Sequence, residues 1–175
     1  MLGTDFAGDV EAVGANVEKF NVGDAVIGFP SVGFGGHAAY CTMAQDGALA
    51  RKPDRLSYAQ AAAVPFGGMA ALAFLRDKGK LKAGEHVAIV GASGSVGSAA
   101  NAKMALAIGA DRDGKRQIAR VAAERVEDLR FLAALAEAGH FTPFVDREYD
   151  LADAAQAHAY IATGRKRGNV VLTMG

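Results

Sequence analysis

The chain has 175 residues, of which 51% are hydrophobic, and its 19 Lys and Arg residues balance its 19 Asp and Glu residues. This composition predicts a folded globular protein, and the lack of a basic stripe argues against nucleic acid or a membrane surface as the main partner. The single cysteine, Cys41, excludes an internal disulfide and a cysteine-rich zinc lobe. No stretch has the pattern of a signal peptide or of a membrane span, so we expect a cytoplasmic protein.

The first third of the chain has the pattern of short β-strands. Phe6–Gly14 alternates small apolar and polar residues, and Ala25–Gly28 follows a turn. A Gly-rich loop over 31–36 precedes a further strand candidate at His37–Met43, and Ala48–Ala50 is another. These segments predict a β-rich first part.

Helical patterns dominate after residue 57. Ser57 is a candidate N-cap for an Ala-rich helix over Tyr58–Arg76, which we expect to be interrupted near residues 65–68. The run His86–Val90 is typical of a parallel strand with both faces buried. A helix is predicted over Ser95–Ile108, where Gly109 ends it.

The last third alternates strands and helices. A short strand is predicted at Gln117–Val121 and an amphipathic helix over Arg125–Ala138. After an extended segment from Phe144, Asp150 is expected to cap a helix that ends before Gly164, and Asn169–Thr173 has the pattern of a final buried strand.

A glycine-rich turn links the predicted strand at His86–Val90 to the helix that begins at Ser95. Its glycines have the spacing G-x-x-G-x-x-G. Glycines in this context permit a tight turn, let the backbone approach a pyrophosphate and allow close helix packing, while free N–H groups of the helix face the phosphates. We therefore predict a dinucleotide site formed by Gly91, Ala92, Ser93, Gly94, Ser95, Val96 and Gly97. The alternative is a turn used only for packing.

Two other glycine motifs do not fit this turn. A Walker A loop requires a lysine before Ser or Thr, and no lysine lies here. A nucleophile elbow requires glycine two residues after the serine, whereas Ser95 stands two residues after Ser93.

Several stretches beyond the turn carry a family pattern: Gly3–Gly14 (G-x-D-x-A-G-x-V-x-x-V-G), Phe20–Val26 (F-x-x-G-D-x-V), Ala63–Ala71, Lys82–Val87 before the glycines, and Gly168–Leu172. Together they resemble the zinc-independent branch of the medium-chain dehydrogenase/reductase superfamily, the quinone oxidoreductase-like enzymes. The resemblance implies an α/β fold in which an abbreviated Rossmann-like part joins a β-rich GroES-like part. It divides the chain into residues 1–64 (GroES-like), 65–140 (nucleotide-binding) and 141–175 (return to the first part).

The resemblance also implies chemistry. It predicts hydride transfer from NADP(H), or from NAD(H), to a quinone or an activated C=C bond, and it adds Asn169 to the cofactor-binding residues. Zinc-dependent members have His-Glu where this chain has Thr4-Asp5, so no metal site is expected. Tyr40 and His37 are the candidate proton donors, but ordinary strand roles are favoured for both, and no catalytic residue is assigned.

This chain also departs from the family pattern. Family chains are roughly twice as long, and the N-terminal strands and the middle of the nucleotide-binding part, which reads the adenosine ribose, are expected to be missing. Ala70 stands where members commonly have Thr. A second reading is therefore a catalytically weak or inactive remnant that acts as a nucleotide-binding or interaction module. An incomplete sheet has open edges, so pairing with a second copy is a further expectation.

Overall fold

The structure is a computed structural model that describes residues 2–30, 33–82, 86, 88–101 and 125–174. The predicted strand at Gln117–Val121, the second half of the helix predicted over Ser95–Ile108, and its end at Gly109 lie outside the described residues. Within these ranges the chain combines strands and helices, and no described helix is long and apolar enough to cross a membrane.

The first strands form a three-stranded antiparallel sheet, in the order of the sequence. Strand β1 (Phe6–Asp9) pairs with β2 (Ala25–Gly28), and β2 pairs with β3 (Leu49–Arg51). The register places Ile27 opposite both Ala7 and Ala50, and the Ile27 side chain is fully buried. The prediction for β2 is confirmed at both ends, whereas β1 is shorter than the alternation suggested.

Helix α1 (Tyr58–Ala62) begins at the predicted N-cap. The Ser57 hydroxyl accepts a hydrogen bond from the Gln60 backbone N–H, and the Gln60 side chain accepts one from the Ser57 backbone N–H. Helix α2 (Pro65–Leu72) follows and continues as a π-helical turn over Ala73–Lys78. The expected interruption of this helix is confirmed, but it lies at residues 63 and 64, just before Pro65, and residues 65–68 are helical. Pro65 begins α2, because a first-turn proline lacks only an N–H that has no partner within the helix.

The last part of the chain contains the remaining helices and a second, smaller sheet. Helices α3 (Ser95–Asn101) and α4 (Val126–Glu137) precede strand β4 (Val145–Asp150). A 3-10 turn (Leu151–Asp153), capped by Asp150, leads into helix α5 (Ala154–Ala162). Strand β5 (Asn169–Thr173) then pairs with β4 in parallel, so α5 is the crossover of a β-α-β unit.

The main hydrophobic core packs the antiparallel sheet against the helices. It contains Ile27 and Ala50 from the first sheet, Val64 and Leu72 from the region of α2, and residues of α4 and the following loop, namely Leu129, Leu132, Ala136 and Phe141. A smaller cluster of Phe20, Val26 and Leu49 lies on the other side of the antiparallel sheet. The amphipathic prediction for α4 is therefore confirmed at its most buried positions.

Two predicted strands are not found among the described residues. The segment His37–Met43 contains no strand, since the N–H of His37 bonds to the carbonyl of Leu2 and Tyr40 is 74% exposed. At His86–Val90 the described residues are irregular, and Val90 is 78% exposed. A buried parallel strand needs a neighbour on the ladder and cover on both faces, and among the described strands β4 and β5 pair with each other.

Candidate functional site

The glycine turn is a compact unit at the start of α3. Gly91 has a φ of +74°, a left-handed conformation that favours glycine, and its carbonyl accepts the Gly94 N–H at 3.0 Å. The Gly94 carbonyl then accepts the Ser98 N–H at 2.8 Å. A Cβ on Gly91 would meet no heavy atom of the described residues within 4 Å, so the space beside this residue is open with respect to them.

The third glycine of the turn serves a different purpose. Gly97 is buried, and a Cβ at this position would overlap the carbonyl oxygen of Gly91. The turn can therefore fold back onto α3 only because residue 97 has no side chain. Of the neighbouring residues, Val96 packs against the main core, while Ala92 is partly buried.

The turn is fastened to the beginning of β5. The Gly168 N–H donates to the Ser93 carbonyl at 2.5 Å, and Gly94 forms an isolated parallel bridge with Gly168. The Ser95 hydroxyl donates to Oδ1 of Asn169 at 2.6 Å. The structure thus brings together Ser95 and Asn169, which lie 74 positions apart in the sequence.

Asn169 is itself held in place by the main chain. Its backbone N–H and its side-chain Nδ2 donate to the Phe144 carbonyl, at 2.9 and 3.0 Å. Since the single hydroxyl proton of Ser95 is used on Asn169, this hydroxyl presents lone pairs, not a donor, to any further group.

Helix α2 closes the other side of the turn. A Cβ on Gly67 would lie 2.6 Å from Oγ of Ser95 and 2.9 Å from its carbonyl oxygen. The first turn of α2 therefore packs directly on the residue that begins α3. This close approach explains why a glycine follows Pro65 and Phe66 at the start of α2.

Asp5 belongs to the Gly3–Gly14 motif, but the sequence predicts no role for its side chain. One oxygen of its carboxyl accepts the Phe66 N–H at 2.8 Å, and the other accepts the Thr4 hydroxyl at 2.9 Å. Burial raises the pKa of Asp5 to about 6, although the bonds from Thr4 and Phe66 act in the opposite direction. Asp5 lies directly before a strand, and Phe66, its helix partner, lies 61 residues later. No local sequence pattern therefore predicts this contact.

Of the two candidate proton donors, His37 lies beside Gly3, and Tyr40 lies in an exposed segment. Tyr40 is 74% exposed, and His37 faces the ring of His158 with 5.8 Å between ring centroids. Burial, and then the charge of His158, lower the pKa of His37. Across the described ranges, no group of three or more His, Cys, Asp or Glu residues is arranged to hold a metal ion.

Two family patterns match the chain. The zinc-binding dehydrogenase pattern covers residues 67–172, and the alcohol dehydrogenase GroES-like domain covers residues 1–85. The chain therefore belongs to the zinc-binding dehydrogenase family, within the medium-chain dehydrogenase/reductase superfamily. The superfamily expected from the sequence motifs is confirmed, and so is the α/β fold that combines Rossmann-like and GroES-like parts.

Individual relatives share about half of the chain. A quinone oxidoreductase from Pongo abelii is 40% identical over 98 residues, which cover 56% of this chain and 29% of that protein. A mycocerosic acid synthase-like polyketide synthase from Mycobacterium tuberculosis is 46% identical over 101 residues, or 57% of this chain and 5% of that protein. The chain thus spans less than a third of these relatives.

Solved structures extend the likeness in fold to nearly the whole chain. The quinone oxidoreductase from Coxiella burnetii has a TM-score of 0.83 and 21% identity, with 98% of this chain and 78% of that chain covered. At this identity the likeness concerns the fold alone.

Proposed function

We propose that the chain binds a nicotinamide dinucleotide at the glycine turn and uses it to reduce a small molecule. The observation that carries the proposal is the turn itself, closed by Gly97, fastened to β5 through Ser95 and Asn169, and open beside Gly91. An open backbone turn at the start of a helix suits a pyrophosphate, which needs close approach to the main chain. The family to which the chain belongs supports the same reading.

The predicted site residues have distinct proposed roles. Gly91 and Gly94 would let the pyrophosphate approach, and Gly97 keeps the turn tight against α3. Asn169 orients Ser95, since the Ser95 hydroxyl donates to it at 2.6 Å. When bound, the nicotinamide would supply hydride, while these residues hold and orient the dinucleotide and exclude water. We favour NADP(H) over NAD(H), as the resemblance to quinone oxidoreductases implies.

The proposed substrate is a quinone or an activated C=C bond. Support comes from relatives named as quinone oxidoreductases, which are 40% identical to part of this chain in Pongo abelii and in Homo sapiens. We propose zinc-independent chemistry because Thr4 occupies the position of a zinc-ligating histidine. Its hydroxyl is a poor zinc ligand and donates instead to Asp5 at 2.9 Å.

A fluorescence titration tests binding. The purified chain is titrated with NADPH and NADH while nicotinamide emission is followed, and we expect saturation with both and tighter binding of NADPH. The Gly97→Ala variant should lose this response, whereas Gly8→Ala should keep it, since a Cβ on Gly8 meets no atom of the described residues within 4 Å. No response to either dinucleotide at millimolar concentration would refute the proposal.

The second candidate is a binding module without turnover. The favouring observation is the segment before the turn, which is irregular at its described residues and leaves Val90 78% exposed. A turn preceded by such an irregular segment can bind a dinucleotide without orienting its nicotinamide for hydride transfer. Steady oxidation of NADPH with a small quinone supports the reductase, and dinucleotide binding without such turnover supports the module.

Three wider expectations from the sequence remain proposals. We propose the division into residues 1–64, 65–140 and 141–175, a cytoplasmic location, and pairing of two copies through open sheet edges. The described part of the second sheet has only β4 and β5, which makes an edge available. Sedimentation that shows only monomer at high concentration would contradict the pairing, and cell fractionation tests the location.

A further inference from the structure

Helix α2 obtains its N-terminal cap from a distant part of the chain. Its own N-cap residue, Val64, makes no side-chain hydrogen bond to the helix. The Phe66 N–H, which has no acceptor within the helix, donates instead to Oδ1 of Asp5, 61 positions earlier, at 2.8 Å. A carboxylate at this end of a helix satisfies an unpaired donor and interacts favourably with the helix dipole.

The Asp5 carboxyl has no counter-charge among the described residues. It forms none of their ion pairs, and its two oxygens are occupied by Thr4 and Phe66. Burial without a cation brings its pKa to about 6. The carboxyl is therefore mostly ionised at pH 7.5 and mostly protonated at pH 5.

Contacts lead from this cap to the glycine turn in two short steps. Phe66 is followed by Gly67, whose missing side chain lets α2 approach Ser95 to within van der Waals contact. Ser95 in turn donates to Asn169 at 2.6 Å. A displacement of the first turn of α2 must therefore move Ser95 or leave a gap beside it.

We propose that Asp5 is a positioning residue for the dinucleotide turn: its carboxylate holds the first turn of α2 against Ser95. This inference rests on the proposed function, because it concerns how tightly the same turn binds its ligand. The ionised carboxylate grips the Phe66 N–H more firmly than the neutral acid does. The grip on α2, and through it the geometry of Ser95, is consequently strongest above pH 6.

Few other groups near Asp5 titrate. Helix α2 contains no titratable side chain. Gly36 and His37 pack against residues 3–5, and the His37 ring faces that of His158. On β1 the nearest carboxylate is Asp9, whose Oδ1 accepts the Tyr58 hydroxyl proton. A His37 variant is therefore needed to exclude titration of that ring. Asp9 provides the matched control for removal of a carboxylate charge.

The experiment compares the wild-type chain with Asp5→Asn, which keeps the shape and an acceptor oxygen but has no charge. Binding of NADP⁺ is measured by calorimetry between pH 5 and pH 8. The ratio of the two affinities cancels any titration of the ligand itself. We expect the wild type to bind about twofold to fivefold more tightly at pH 7.5, the range of a charge–helix dipole interaction, and equally at pH 5. A ratio that does not change with pH overturns the proposal.

A second measurement does not depend on the ligand. In amide NMR spectra, the signals of Phe66 and Ser95 should shift together with a midpoint near pH 6 in the wild type and in His37→Asn, but not in Asp5→Asn. Movement of Phe66 without Ser95 overturns the positioning role. If no dinucleotide binds at all while both signals shift, the proposed function fails and the contact between Asp5 and the turn stands.

Two further variants make the test specific. Thr4→Val removes a bond that lowers the pKa of Asp5, so the midpoint should move to higher pH. Asp9→Asn makes the same chemical change four residues along the chain and should leave the midpoint and the affinity ratio unchanged. An equal effect of Asp9→Asn would mean that general charge, not the cap on α2, is responsible.

Discussion

The two sheets of this protein differ in how their strands find partners. The antiparallel sheet joins strands that follow one another along the chain, with β1 beside β2 and β2 beside β3. The parallel pair, β4 and β5, needs α5 as a crossover, and the glycine turn is joined to it through the Gly94–Gly168 bridge and the Ser95–Asn169 hydrogen bond. The first sheet is thus built from local information, whereas the site depends on contacts between distant segments.

The largest effect is expected from Gly97→Ala, which breaks the distant arrangement directly. The added Cβ overlaps the Gly91 carbonyl oxygen, and backbone cannot move aside as a flexible side chain can. We expect a loss of about 3 kcal/mol in the free energy of unfolding, the upper end for overpacking, together with loss of dinucleotide binding. Thermal denaturation and the NADPH titration measure the two effects.

The matched control for this change lies in the antiparallel sheet. Gly8→Ala places a Cβ where no heavy atom of the described part of the chain lies within 4 Å, so stability should change by less than about 0.5 kcal/mol. If both variants behave alike, the turn is not as tightly closed as the structure shows, and the contrast between the two sheets weakens.

A somewhat smaller loss is expected from Asp128→Asn, at the beginning of α4. Asp128 is only 2% exposed and accepts hydrogen bonds from Arg76 at 2.7 Å and from Arg125 at 3.1 Å. Asp77 also accepts hydrogen bonds from both arginines, so these four residues form a ring of ion pairs. The bond from Arg76 lowers the pKa of Asp77. Because hydrogen bonds to charged groups contribute about 1.5–3 kcal/mol and both arginines are partly exposed, we expect a loss of about 2 kcal/mol by chemical denaturation.

The neighbouring residue supplies the comparison for Asp128. Glu127 is exposed in the same first turn of α4, and Glu127→Gln should cost less than about 1 kcal/mol, the scale of its interaction with the helix dipole. Equal losses for the two variants would show that the four-residue ring adds nothing beyond charge at the helix end.

Asp5→Asn should act in the opposite direction on stability. The folded pKa of Asp5 is about 6, above the unfolded value of 3.8, so the native state binds the proton more strongly. Stability from this group is present below pH 3.8 and is lost as the pH rises towards 6. Above pH 6 the neutral variant should be more stable by about 1–2 kcal/mol, after allowance for partial exposure.

Melting temperatures across the pH range test this sign. The difference between Asp5→Asn and the wild type should grow from pH 4 to pH 6 and then level off. A variant that is less stable at pH 8 would mean that the carboxylate stabilises the fold as well as orienting α2. The expected result combines weaker positioning with higher stability, a combination often found where function holds a charge in a buried place.

The sequence predicts well those features that local residues determine. Ala25–Gly28, the Ser57 cap, α4 and Asn169–Thr173 are found where periodicity and capping rules place them. The predicted strand at His86–Val90 is not found in the described residues of that segment, because an apolar run becomes a parallel strand only when distant neighbours cover it, and Val90 instead faces solvent. The spacing of the glycines predicts a tight turn, but not that the Ser95 hydroxyl is used on Asn169.

Asp5 marks the other limit of prediction from sequence. Its motif identifies the family, yet the partner of its carboxyl is a helix N–H that lies 61 residues away. The sequence Val64-Pro65-Phe66 does not indicate that a local cap is missing, because a proline at the first helical position is favourable by itself. Only the packed chain shows which donor the carboxyl satisfies.

The smallest effect is expected from Ser57→Ala, which tests the purely local part of the comparison. Ser57 and Gln60 exchange two hydrogen bonds, at 3.2 and 3.1 Å, across the first turn of α1. Loss of the hydroxyl acceptor should cost about 1 kcal/mol by chemical denaturation, and Ser57→Asn should recover most of it because asparagine caps equally well. Since the two hydrogen bonds of this cap lie within the first turn of α1 and do not involve the glycine turn, NADPH affinity should not change. A loss of affinity in Ser57→Ala would show that the local and the distant parts of the fold are coupled, against the contrast drawn between the two sheets.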